Sequence, residues 1–120
     1  MKIRIKGNSV RLRLTKTEVI AFCAMGVLED RVNFPNKVLV YALKKKDGIS
    51  NMEADFSKGK ITIYISEDLI DGWDSNEKVG FKACQNLEDK GELMLLLEKD
   101  FQCLDSTIDE QSDNYPSPRA

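Results

Sequence analysis

Through the first fourteen positions apolar and charged residues alternate almost one for one. Ile3 and Ile5 fall between Lys2, Arg4 and Lys6, and beyond Gly7-Asn8 the period resumes with Val10, Leu12 and Leu14 around Arg11 and Arg13. A period of two sends one set of side chains to each face of an extended chain, so the pattern predicts two strands joined by a tight turn. The period then changes. Thr15-Lys16-Thr17-Glu18 has the composition of a capping box, with Leu14 and Val19 at the staple positions. Val19, Phe22 and Cys23 follow at helical spacing and Gly26 is placed to close the last turn, which predicts a helix over residues 16–25.

From Val27 the period returns to two. Val38 to Leu43 reads as a strand buried on both faces near its centre, ended by Lys44-Lys45-Lys46-Asp47-Gly48. Met52, Ala54 and Phe56 alternate with acids, and past Lys58-Gly59 the residues Ile61, Ile63 and Ile65 do the same with Thr62 and Tyr64, predicting a second hairpin. Ser66 is a candidate cap for a short helix that opens with Glu67 and Asp68, buries Leu69, Ile70 and Trp73, and is limited by Gly72. Between Asp74 and Gly91 only Val79-Gly80-Phe81 suggests a strand, whereas Leu93 to Leu97 predicts a central one. No repeat of fixed period is visible.

These elements predict an α+β fold: an antiparallel sheet of about six strands, with one main helix and a short second helix packed on one face. The expected core is Ile3, Ile5, Leu12, Leu14, Val19, Phe22, Ile61, Ile63, Leu95 and Leu97. After Leu104 the composition turns polar, acidic and proline-containing, so residues 1–104 are expected to be a single domain and 105–120 a partly ordered acidic tail.

Charge changes this picture more than composition does. Across 120 residues the net charge is only -2, yet the first sixteen residues carry Lys2, Arg4, Lys6, Arg11, Arg13 and Lys16 with no acid. The end carries Asp105, Asp109, Glu110 and Asp113 against Arg119. Histidine is absent, which removes imidazole bases and the commonest transition-metal ligand. Cys23, Cys84 and Cys103 are odd in number and widely spaced, so free thiols are expected rather than a disulfide framework. No apolar run reaches membrane-span length, and a cytoplasmic protein without cofactor or metal is expected. The opening hairpin has no aromatic residue, which argues against nucleic acid.

Two sets of candidate binding residues follow. Lys2, Arg4, Lys6, Arg11, Arg13 and Lys16 could receive an anion or an acidic partner, or form a solvated sheet face. Phe101, Leu104, Asp105, Ile108, Asp109, Glu110, Asp113 and Tyr115 could dock the tail onto the body of its own chain or of a neighbour, which would permit self-association. No catalytic set is visible.

The opening KIRIKGNSVRLRLTKTEV, with the closing LLLEKDFQCLD and DEQSDNYPSP, resembles a small bacterial family, a domain of unknown function marked by these two end motifs. The resemblance implies one bacterial domain and carries over no functional residues. The alternating basic strands also resemble those of triphosphate tunnel enzymes, but Lys2-Ile3-Arg4-Ile5-Lys6 stands where those enzymes open with Glu-x-Glu-x-Lys. The expected function is a non-enzymatic binding or assembly module whose basic hairpin receives an acidic segment or an anion. The alternative is a phosphate- or polyphosphate-handling enzyme with a basic cavity.

Overall fold

The structure, a computed structural model, describes residues 1–101. The opening hairpin forms as its period requires, with β1 (Lys2–Lys6) antiparallel to β2 (Ser9–Leu14). Helix α1 (Lys16–Met25) follows, and both hydrogen bonds of its capping box are made: Glu18 N donates to the Thr15 hydroxyl and Thr15 N to the Glu18 carboxylate. Gly26 ends it at φ 79°, a left-handed geometry that a side chain would strain, and its N–H reaches the Phe22 carbonyl. The chain continues through β3 (Val27–Asn33), β4 (Val38–Lys46), β5 (Met52–Ser57) and β6 (Lys60–Ser66) to a single turn of helix, α2 (Glu67–Ile70), then β7 (Gly80–Asn86) and β8 (Glu92–Lys99).

The strands form two four-stranded sheets, β1-β2-β8-β7 and β3-β4-β6-β5, and not the one antiparallel sheet of about six strands that the periodicity suggested. Each is mixed. Two antiparallel hairpins meet through a parallel inner pair, β2 with β8 in the first sheet and β4 with β6 in the second. Alternation along a strand fixes which residues share a face but says nothing of which strand lies beside it, so the sequence could not separate one sheet from two. Nor do the helices cover a sheet face. Each starts where an inner strand ends and leads to the opposite sheet, so α1 and α2 lie over one end of the sandwich, where Cys23 Sγ is 3.7 Å from the Ile70 carbonyl oxygen. Ser66 precedes α2 but makes no capping hydrogen bond with its side chain.

A two-fold pattern underlies this arrangement that no sequence period betrays. The unit β1-β2-α1-β3-β4 recurs as β5-β6-α2-β7-β8, and each unit gives one hairpin to each sheet. Registers correspond row by row: Ile3–Leu12–Leu97–Phe81 crosses the first sheet as Ala54–Ile63–Leu43–Leu28 crosses the second. Both rows face inward. Leu12, Leu43, Ile63, Phe81 and Leu97 are buried in one cluster with Leu14, Phe22, Ile65, Ile70, Trp73 and Leu95, while Ile3, Leu28, Ala54 and Ile61 pack at its margin. Ile5, expected in the core, is 60% exposed because it lies near the turn of its hairpin, away from the helices.

Strand β7 is the element the pattern most underrated. It is an outer strand with Phe81 and Ala83 as its only buried residues, so it needs little apolar sequence. It also lies close to its neighbour: a Cβ on Gly80 would come within 2.3 Å of the Leu97 carbonyl oxygen. Side-chain bonds join the sheets at their margins. Ala54 N donates to Gln85 Oε1 at 2.8 Å and Asn51 Nδ2 to the Lys82 carbonyl at 3.3 Å. On the other side the Met1 amino group pairs with Glu18 and Asp30, and Tyr41 donates to the Met1 carbonyl at 3.0 Å. Among the described residues no helix is long and apolar enough to cross a membrane.

Candidate functional site: the basic face of the first sheet

Pairing of β1 with β2 sets Lys2 opposite Arg13, Arg4 opposite Arg11 and Lys6 opposite Ser9. Directly paired residues share a face, so the five cations of the opening hairpin lie together on the side turned away from the core. Extending these rows across β8 and β7 gives Lys2–Arg13–Glu98–Gly80, Arg4–Arg11–Leu96–Lys82 and Lys6–Ser9–Met94–Cys84. Six cations therefore share the three rows with one carboxylate, Glu98. Lys16, grouped with them on sequence, stands instead on α1. There it lines a separate depression of about 310 Å³ with Val19, Asp74, Asn76, Lys99, Asp100 and Phe101.

Glu98 is shared. Arg13 Nε donates to its Oε1 at 3.4 Å, and Arg11 Nε lies 3.4 Å from the same oxygen without the alignment a hydrogen bond requires. Arg11 Nε is shielded from solvent and has no hydrogen-bond partner. Lys2 pairs with Asp100 at 2.9 Å at the end of the face. Among the described residues Arg4 and Lys6 form no ion pair, and with Ser9 and Arg11 they line a depression of about 220 Å³. Two guanidinium side chains directly opposite one another repel, and among the described residues only Glu98, beside Arg11 and shared with Arg13, offsets that repulsion.

Elsewhere some charges find partners, the Met1 amino group among them. The Met1 amino group loses solvation by burial, but hydrogen bonds and charge from Glu18 and Asp30 outweigh this and raise its pKa above the ordinary 8.0. Partial burial works against ionisation of Glu18 too, yet the Met1 ammonium and Thr15 hold its carboxyl below the usual range. Burial, followed by the charges of Asp30 and Glu18, pushes the Tyr41 phenol up. The Cys23 thiol is raised chiefly by burial, and Cys23 and Cys84 are both free. The space between the sheets, where a basic cavity would have to lie, is filled by Leu12, Leu43, Ile63 and Leu97. No group of three or more potential metal ligands occurs among the described residues.

Phe101, the first expected tail anchor, is 52% exposed beside the Lys16 depression. The others, Leu104, Asp105, Ile108, Asp109, Glu110, Asp113 and Tyr115, lie outside the described residues, as do Cys103 and the expected boundary after residue 104. Glu98, Lys82, Ser9, Leu96 and Met94 were not foreseen as members of this face. Ser9 belongs to the hairpin, opposite Lys6, whereas Glu98, Leu96 and Met94 reach the face only through the β2–β8 pairing and Lys82 only through the pairing of β7 with β8.

No curated protein and no solved structure matches the chain, whereas the model of one protein family, described as a family of unknown function, matches residues 1–119. The chain therefore belongs to that family, DUF7009, in keeping with the domain of unknown function that its sequence resembles.

Proposed function

We propose that the protein is a non-enzymatic binding module whose basic outer face receives an acidic polypeptide, namely the segment that follows Phe101, from the same chain or a second copy. One observation carries this reading. Among the described residues three rows of the face hold Lys2, Arg4, Lys6, Arg11, Arg13 and Lys82 against Glu98, with Glu92 farther along the same side of β8 and Asp100 paired with Lys2 at the other end. A field of one sign over a surface roughly 13 Å long attracts an extended acidic segment and orients its approach. Two further points support it. Asp100 N donates to the Leu14 carbonyl at 2.8 Å and its carboxylate meets Lys2, so the chain leaves β8 at the end of the basic face. The sequence beyond then supplies Asp105, Asp109, Glu110 and Asp113, and attachment to one chain gives such a segment a high effective concentration.

The test compares the full chain with one ending at Leu104. Removing the acidic segment is expected to lower the melting temperature or change the size in solution, and to speed amide exchange in residues 2–14. The difference should shrink as salt rises, because exposed pairs of about 0 to 1 kcal/mol each are screened. Identical melting, size and exchange in the two chains would refute the reading.

A further inference from the structure

We propose that the depression lined by Arg4, Lys6, Ser9 and Arg11 is a subsite for a phosphoryl group, supplied either as inorganic phosphate or as a phosphorylated side chain of an acidic peptide. This deepens the reading of the basic face as an anion-receiving surface and rests on it.

The donor set selects the ligand. Arg4 and Arg11 are directly paired across the hairpin, Lys6 lies two residues along the same face from Arg4, and Ser9 stands opposite Lys6. Two guanidinium groups, an ammonium and a hydroxyl thus border a single hollow of about 220 Å³, and among the described residues no carboxylate lines it. A carboxylate is planar, carries one charge and is satisfied by one guanidinium fork. A phosphate monoester carries nearly two charges at neutral pH and presents three terminal oxygens in tetrahedral directions, which calls for several donors from different sides. It also relieves the repulsion between the paired arginines, of which, among the described residues, Glu98 meets only Arg11.

The surroundings sharpen the assignment. Glu98 is engaged by Arg13 and stands within ion-pair distance of Arg11 Nε, so it competes with an incoming anion for one arginine of the subsite only. On β8 the neighbours of Arg11 and Ser9 are Leu96 and Met94, both half-buried, so apolar surface borders the subsite on that side. The other depression differs in kind: among the described residues Asp74 and Asp100 accompany Lys16 and Lys99 there, two acids with two cations.

The test is a titration of the full-length protein followed by amide chemical shifts at constant ionic strength. Three probes are used: inorganic phosphate, an acidic peptide containing one serine, and the same peptide with phosphoserine. Phosphate should give saturable shifts centred on Arg4, Lys6, Ser9 and Arg11, and the phosphopeptide should bind roughly tenfold more tightly than its unmodified form. Arg4→Gln and Arg11→Gln should each abolish that preference, Lys82→Gln should leave it within about twofold, and Glu98→Gln should tighten phosphate binding. Arg4 is exposed, so Arg4→Gln remains decisive should the half-buried Arg11→Gln disturb the sheet; the same spectra report folding. Equal binding of both peptides without saturable phosphate shifts would overturn the subsite and leave the acidic-segment reading standing. Absence of binding by all three probes would overturn the subsite, while the acidic-segment reading is decided separately by the comparison with the chain ending at Leu104. Phosphate binding untouched by Arg4→Gln would place the ion elsewhere and likewise refute the proposal.

Discussion

The outer faces of the two sheets are built on the same backbone plan and decorated in opposite ways. Where the first sheet carries Lys2–Arg13–Glu98–Gly80 and Arg4–Arg11–Leu96–Lys82, the second carries Glu53–Tyr64–Lys44–Val27 and Asp55–Thr62–Ala42–Glu29. On the second face cations meet acids: Lys60 and Arg31 both reach Glu29, at 3.1 and 3.3 Å, and Lys46 reaches Glu53 at 3.3 Å. Lys60 and then Arg31 hold the Glu29 carboxyl below its usual range. The central inner rows, Ile3–Leu12–Leu97–Phe81 and Ala54–Ile63–Leu43–Leu28, are by contrast apolar throughout, and polar residues such as Lys99, Lys45 and Asp30 enter in other rows. Folding thus fixes the inner rows, because both must fill one core, and leaves the outer rows open to other demands. An imbalance confined to one outer face is the mark of such a demand.

The comparison breaks first if the cores are not equivalent. Leu97→Ala and Leu43→Ala occupy corresponding places in the two sheets, and both side chains are fully buried. Each should cost about 2 to 5 kcal/mol in chemical denaturation. A loss in one sheet with none in the other would show that the row correspondence is one of pairing and not of packing. Backbone approach gives a smaller, one-sided effect. Gly80 and Val27 are counterparts, but only at Gly80 would a Cβ strike the Leu97 carbonyl oxygen, so Gly80→Ala should cost roughly 1 to 3 kcal/mol by the same measurement. A neutral Gly80→Ala would mean that β7 sits less closely on β8 than the structure has it.

Charge deletions should be smallest and opposite in sign. Arg4→Gln removes one of two directly opposed like charges, and should raise stability by about 0.2 to 1 kcal/mol at low salt with no added anion. Lys60→Gln removes a partner of Glu29 and should lower it by no more than about 1 kcal/mol. Both effects should fade in high salt. Two changes of the same sign in thermal melts would remove the electrostatic distinction between the faces.

Much of the hairpin site was legible in advance because its information is local. Alternation from Lys2 to Arg13 fixes a common face for five cations wherever the hairpin packs, and Thr15 with Glu18 fixes where the chain turns to helix. Lys16 shows the limit of local information: it is close in sequence, but the strand ends before it and the helix carries it to another surface. Glu98 is distant in sequence and joins the site by the β2–β8 pairing alone.

By itself the sequence determined the local period of most elements, the closure of α1 at Gly26 and the single sign of the first hairpin, since each follows from steric and hydrogen-bonding preferences within a few residues. Tertiary structure decided the rest. Whether eight strands form one sheet or two, and which inner strands run parallel, depends on contacts between residues far apart in the chain. Single-strand periodicity carries no trace of these. The two-fold plan is hidden for a related reason: burial constrains a position to be apolar and of suitable volume without fixing its identity, so Phe81 can answer Leu28 and Ala54 can answer Ile3 while the hydrogen-bonded register remains the same.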